Sequence, residues 1–187
     1  MGKRAAGQVR IIGGKWRNTR LPVADAHGLR PTSDRARETL FNWLQPMLPG
    51  ARVLDLFAGS GALGFEAVSR GARSAVLVER DARPCDTLRG IADRLPGGGA
   101  ATVVHSDALA FLCGPPPARF DLAFVDPPFD ADLWDTAIAR LDAWLEPAAW
   151  LYVEGPLQRN IAPGGGWRLH REGASREARH ALYRRGD

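Results

Sequence analysis

Two short stretches of this chain bring together residue types that can do chemistry. The first is Asp126-Pro127-Pro128-Phe129, which directly follows the apolar run Asp121-Leu122-Ala123-Phe124-Val125. An exocyclic amine on a heterocycle has its lone pair drawn into the ring, so it is a poor nucleophile. A carboxylate (Asp126) and a backbone carbonyl (that of Pro127) can accept its N–H hydrogens and orient the lone pair toward an electrophile. The carboxylate also stabilises the positive charge that develops on nitrogen. Pro127 and Pro128 fix the backbone, and Phe129 supplies a face for an extruded base. The second stretch is Asp55-Leu56-Phe57-Ala58-Gly59-Ser60-Gly61-Ala62-Leu63-Gly64. Gly59, Gly61 and Gly64 satisfy G-x-G-x-x-G after an apolar run and before a helix-like one, and Glu79 ends the next apolar run twenty residues after Gly59. An acidic residue there holds ribose hydroxyls, so the pair predicts a nucleoside-containing cofactor at the carboxyl ends of the strands.

Charge selects the nucleoside. A dinucleotide site presents backbone N–H groups to a pyrophosphate at the helix N-terminus. Asp55 stands beside that turn, where a carboxylate repels phosphates and suits an amine or a sulfonium. S-adenosylmethionine (SAM) carries both, with ribose hydroxyls for Glu79. Asp107, just after the third strand, is placed to meet the exocyclic amine of the adenine; the plain alternative is a helix N-cap.

The strand end fits the (D/N)-P-P-(F/Y/W) motif of methyltransferases that act on planar amino nitrogens. Together with the glycine turn and the stretch Arg30-Pro31-Thr32-Ser33-Asp34-Arg35-Ala36-Arg37-Glu38-Thr39-Leu40-Phe41-Asn42-Trp43-Leu44, it resembles the bacterial RsmD family from about Arg10 to the C-terminus. That resemblance implies methylation of the N2 of a guanine in 16S ribosomal RNA, within a partly or fully assembled small ribosomal subunit. It implies SAM contacts at Asp55, Phe57, Gly59, Gly61, Glu79 and Asp107, base handling by Asp126–Phe129, and closure of the segment holding Arg30 and Thr32 over the methionine end of the cofactor. Rival readings are a DNA adenine-N6 methyltransferase, a nicotinamide-dependent oxidoreductase and a catalytically silent RNA-binding protein. The first usually needs a separate target-recognition region, the second conflicts with Asp55 and the DPPF strand, and an intact site counts against the third.

These residues need a scaffold, and the sequence predicts one. Val53–Phe57, Ala75–Glu79, Ala101–Val104, Asp121–Val125 and Ala149–Glu154 read as strands buried on both faces, being short, apolar and little alternating. Between them, Ala62–Arg70, Asp81–Leu95, Asp107–Leu112 and Ala131–Leu145 read as helices. In the second, Leu88, Ile91, Ala92 and Leu95 form one face, with Asp81 as the expected cap and Pro84 harmless in the first turn. Repeated βα units imply right-handed crossovers and a mostly parallel sheet. Trp167–Arg171 and Ala178–Arg184 read as an antiparallel hairpin that completes it. The expected fold is α/β: a Rossmann-like SAM-dependent methyltransferase with a seven-stranded sheet. A helix should begin near Ser33 with Ala36, Leu40, Phe41, Leu44 and Met47 inward. Residues 1–31 read as a basic extension, an RNA-contacting arm or hairpin, and 32–187 as the methyltransferase domain.

Composition narrows the classes. The chain has 187 residues, 45% hydrophobic and 25% charged, the balance of a single globular domain. Its formal net charge of +4 hides a segregation. Residues 1–37 carry nine Lys/Arg against two acids, residues 157–187 seven against three, and the middle nine against sixteen. An acidic body with basic ends suits a polyanion partner. Arg10, Lys15, Arg17 and Arg20, beside Gly13, Gly14 and Trp16, are the expected RNA contacts, with Trp16 available for stacking. Cys85 and Cys113 are too few for a disulfide framework, and His27, His105, His170 and His180 share no metal-ligand spacing, so no metal is expected. Pro84-Cys85 mimics the nucleophile of cytosine-C5 methyltransferases, but an exocyclic amine needs no covalent adduct and Cys85 is expected to be structural. The absence of a signal peptide or an apolar span predicts a cytoplasmic protein, expected to act as a monomer.

Overall fold

The computed structural model describes residues 7–23 and 33–186; Arg30 and Thr32 lie outside the described residues. Its strands are β1 (Gln8–Arg10), β2 (Arg20–Pro22), β3 (Arg52–Asp55), β4 (Ser74–Glu79), β5 (Ala101–His105), β6 (Phe120–Val125), β7 (Leu145–Pro156), β8 (Trp167–Ala174) and β9 (Ala178–Arg185). Its α-helices are α1 (Asp34–Leu44), α2 (Ala62–Ser69), α3 (Ala82–Arg94), α4 (Ala108–Phe111) and α5 (Trp134–Arg140). The seven-stranded sheet runs β5-β4-β3-β6-β7-β9-β8. The first five are parallel, and β9 lies antiparallel to both its neighbours. This is the Rossmann-like methyltransferase architecture expected of repeated βα units with a terminal hairpin.

Successive residues of each central strand point to opposite faces, and both faces are covered. Phe124, Tyr152 and Leu182 pack with Leu40, Phe41 and Phe65 on one side. Ala123, Val125, Leu151 and Val153 pack with Trp134, Ala137 and Trp144 on the other. No described helix is long and apolar enough to cross a membrane.

Several local expectations change. β3 stops at Asp55, because Leu56 and Phe57 already belong to the glycine turn. The helix expected over Ala131–Leu145 is only α5 followed by a 3-10 turn at Leu141–Trp144. Pro147 cannot sit in a helix interior, and Leu145 instead pairs with Phe120, so β7 begins four residues early, with a register shift before Trp150. Asp81 occupies the cap position of α3 without a capping side-chain bond; its N–H is instead held by Glu79. In α1, Leu40, Phe41 and Leu44 are buried as expected, but Arg37 is fully buried as well.

The N-terminal segment folds back onto the body. β1 and β2 form a small antiparallel sheet, and Ile11, Trp16 and Leu21 join the core cluster that contains Val53 and Phe65. Trp16 is therefore not available for stacking on a base. Its ring lies edge-on to Phe65, and its Nε1–H donates to the Pro96 carbonyl (3.0 Å), so the indole buries its area with its polar atom satisfied. Glu66, buried in α2, accepts the N–H groups of Ile12 and Gly13 (both 2.8 Å) and Nε–H of Arg70 (2.7 Å). Ser69 accepts the Trp16 N–H (2.9 Å) and donates to the Gly13 carbonyl (2.6 Å).

Candidate functional site

The strand order reverses between β3 and β6, so their carboxyl ends diverge and leave a crevice, the place where open α/β sheets bind ligands. A cavity of about 660 Å³ opens there. It is lined by Asp55, Phe57 and Gly59 after β3, Glu79 at the end of β4, Asp107 after β5, and Asp126, Pro127, Pro128 and Phe129 after β6. Residues spread over seventy-five positions of sequence thus meet in one hollow. Gly61 serves it from behind. It holds φ +74° at the start of α2, and a Cβ there would come within 2.5 Å of Leu88 and 2.8 Å of Phe65. A side chain at 61 would therefore force the turn open.

Each carboxylate has a defined local role. Asp55 Oδ2 accepts the Gly64 N–H (2.9 Å), tying the strand end to α2. Glu79 accepts N–H of Gly59 (2.9 Å) through Oε2 and N–H of Asp81 (2.9 Å) through Oε1, so it braces the glycine turn while facing the cavity. Asp107 is an N-cap, its Oδ1 accepting the Ala110 N–H (2.9 Å), and it lines the cavity too. Phe129 is half-buried, its ring 6.0 Å from that of Trp134.

The electrostatics are dominated by burial. Removal from water pushes the Asp55 carboxyl up to about 7, against the lowering effect of the Gly64 N–H and with help from the Glu79 charge. Asp126 is pushed well above the usual carboxylate range by burial, then by Glu154 and Asp55. The lining includes Asp55, Glu79, Asp81, Asp107, Asp126 and Glu154. The excess of carboxyls over the two lining arginines, Arg80 and Arg176, disfavours a pyrophosphate and draws in a cationic nucleoside ligand. The donor set therefore fits SAM and disfavours a nicotinamide dinucleotide.

Reading the sequence missed part of this wall. Glu154 of β7 and His180 of β9 line the cavity together with residues 175–178, and Tyr152 holds the Glu154 side chain from behind. The usable signal was that Glu154 ends an apolar strand just as Glu79 does. The four basic residues expected to touch RNA are exposed on the N-terminal segment, outside the cavity lining. Arg10 pairs with Asp34 (3.4 Å), Lys15 lies over the Trp16 ring (4.5 Å to its centroid), and Arg20 bonds to Gln8 (3.5 Å). Cys85 is buried and donates to the Glu79 carbonyl (3.3 Å), a structural position.

Comparison with known proteins matches residues 9–184 to the family described as conserved hypothetical protein 95. The chain is 45% identical over 185 residues to ribosomal RNA small subunit methyltransferase D of Escherichia coli, covering 96% of this chain and 91% of that one. It is 41% identical over 183 residues to the protein of the same name from Haemophilus influenzae, covering 96% and 95%. The solved structure of Escherichia coli yhhF superposes with a TM-score of 0.86 at 45% identity, covering 96% of this chain and 98% of that one.

Proposed function

The chain belongs to the conserved hypothetical protein 95 family, the RsmD family, and on that premise we propose that it methylates the exocyclic N2 of a guanine in 16S ribosomal RNA, using SAM. The observation that carries this reading is the meeting of Asp126–Phe129 with Asp55, Glu79 and Asp107 in one cavity. The bound cofactor supplies an electrophilic methyl group on a sulfonium. Asp55 favours that positive ligand by charge, and Glu79 and Asp107 offer carboxylate oxygens to its hydroxyls and amine. Asp126 and the Pro127 carbonyl accept the hydrogens of the target amine, so its lone pair points at the methyl carbon. Methyl transfer to the nitrogen would release a proton, and the Asp126 carboxylate would accept it. The half-exposed ring of Phe129 offers a stacking face that a flipped base needs. The small ribosomal subunit, partly or fully assembled, is the form in which this RNA would be met.

The test uses purified protein, methyl-labelled SAM and small ribosomal subunits from cells lacking the gene. Wild type should transfer label to the subunit RNA. Asp126→Ala should lose on the order of 10²–10³ in turnover, the cost of removing one transition-state contact. SAM affinity by calorimetry should stay within a few-fold, because the lost contacts are to the amine. Near-normal turnover in Asp126→Ala would reduce the DPPF strand end to a turn.

A further inference from the structure

We infer that Glu154 reads the ring N1–H of the target guanine, beside the amine held by Asp126, and so separates guanine from adenine. The inference rests on the guanine-N2 reading above and names the residue that would enforce it. Val125 pairs with Val153 across parallel strands, so Asp126 and Glu154, the next residue on each, leave β6 and β7 side by side. Both point to the face that carries Phe124 and Tyr152, on strands about 4.8 Å apart. Glu154 is only 8% exposed, yet it lines the cavity. The Tyr152 hydroxyl donates to Glu154 Oε2 (2.7 Å), and the Glu154 carbonyl accepts Nε1–H of Trp134 (2.7 Å), so side chain and strand end are both held in place.

His180 and Tyr152 pack around this pair. His180 stands opposite Glu154 in β9, its ring 6.4 Å from Tyr152 and 5.6 Å from Trp43, and burial lowers its pKa, so it is neutral near pH 7. Tyr152 is pushed well above its usual range by burial and by Glu154, and stays a donor. The Tyr152 hydroxyl occupies one Glu154 oxygen and fixes the orientation of that carboxyl beside Asp126.

A flipped base is read along its Watson–Crick edge. Guanine presents two donors there in succession, N1–H and the N2 amine. Adenine sets the acceptor N1 next to its amine, and cytosine sets the acceptor N3 next to its own. The Glu154 carboxylate accepts the guanine N1–H but faces a lone pair in either of the other bases. A carboxylate beside the DPPF aspartate thus selects the one amine-bearing RNA base whose neighbouring ring nitrogen is a donor.

2-Aminopurine isolates this contact, because it keeps the 2-amine but has an acceptor at N1. Small subunits are reconstituted with 16S RNA carrying guanosine or 2-aminopurine at the mapped target, and kcat/KM is measured for wild type and Glu154→Gln. Wild type should prefer guanosine by on the order of 10- to 100-fold, the discrimination of a good base-edge contact. Glu154→Gln, whose amide can donate to N1 of 2-aminopurine, should bring the ratio near one or invert it. SAM affinity and melting temperature serve as the folding controls. Equal rates on both bases in wild type, or the same preference in both proteins, would overturn the role of Glu154. No transfer to guanosine by wild type would instead bring down the guanine-N2 reading itself.

Discussion

Burial leaves the Asp55 carboxyl with a pKa of about 7, so near neutral pH it is partly protonated before ligand arrives. A cationic ligand favours the ionised form, so binding must expel that proton. SAM affinity should therefore strengthen as pH rises through about 7, and calorimetry in two buffers of different ionisation heat should detect proton release. Asp55→Asn should abolish the release; proton uptake by wild type would contradict this charge assignment. Asp126 follows the same sign. Its carboxyl is pushed well above the usual range and must be ionised to take the amine proton, so single-turnover transfer should rise with pH, not fall. At this scale the sequence was legible wherever neighbours along the chain define the role, as at Asp126–Phe129 and Gly59–Gly64. His180 was not legible, and Glu154 only as a carboxylate ending an apolar strand, because their place depends on β7 pairing with β6 on one side and β9 on the other. Trp16 misled because its basic neighbours suggest exposure, while its indole is needed in the core.

The elements are joined by a buried ionic bolt. Glu66 on α2 holds the backbone of the N-terminal segment, and Arg37 on α1 lies 3.9 Å from it; both side chains are fully buried. Arg37 also donates to the Arg10 carbonyl (2.9 Å) and pairs with Asp34. Glu66→Ala leaves the Arg37 charge without that counter-ion and two backbone N–H groups without partners. It should cost about 3–5 kcal/mol in urea unfolding, the scale for breaking a buried pair from one side. A loss below about 1 kcal/mol would mean that the network contributes little. Neither Arg37 nor Glu66 could be read from the sequence as buried, since charged residues in amphipathic helices ordinarily face water. The strands of the parallel sheet were readable because burial on both faces leaves an unbroken apolar run. The α5–β7 junction was not, because the Leu145–Phe120 pairing is a long-range contact.

For the whole molecule, the acidic cavity and the basic chain ends would divide cofactor from polyanion. If the N-terminal segment holds RNA, Arg17→Ala with Arg20→Ala should weaken binding and flatten the slope of log affinity against log salt by roughly 1.5, from two lost phosphate contacts. SAM affinity should not move, because both side chains lie outside the cavity lining. An unchanged slope would shift the RNA surface to the C-terminal hairpin, where Arg168, Arg171 and Arg184 lie. The basic ends were visible in composition; that the N-terminal one is anchored in the core through Ile11, Trp16 and Leu21 was not. The most direct measurement is nucleoside mass spectrometry, with fragment mapping, of 16S ribosomal RNA from cells with and without this gene. One N2-methylguanosine should vanish with the gene and return with the wild-type protein but not with Asp126→Ala. An unchanged 16S RNA, or the loss of an N6-methyladenine from DNA instead, would contradict the account.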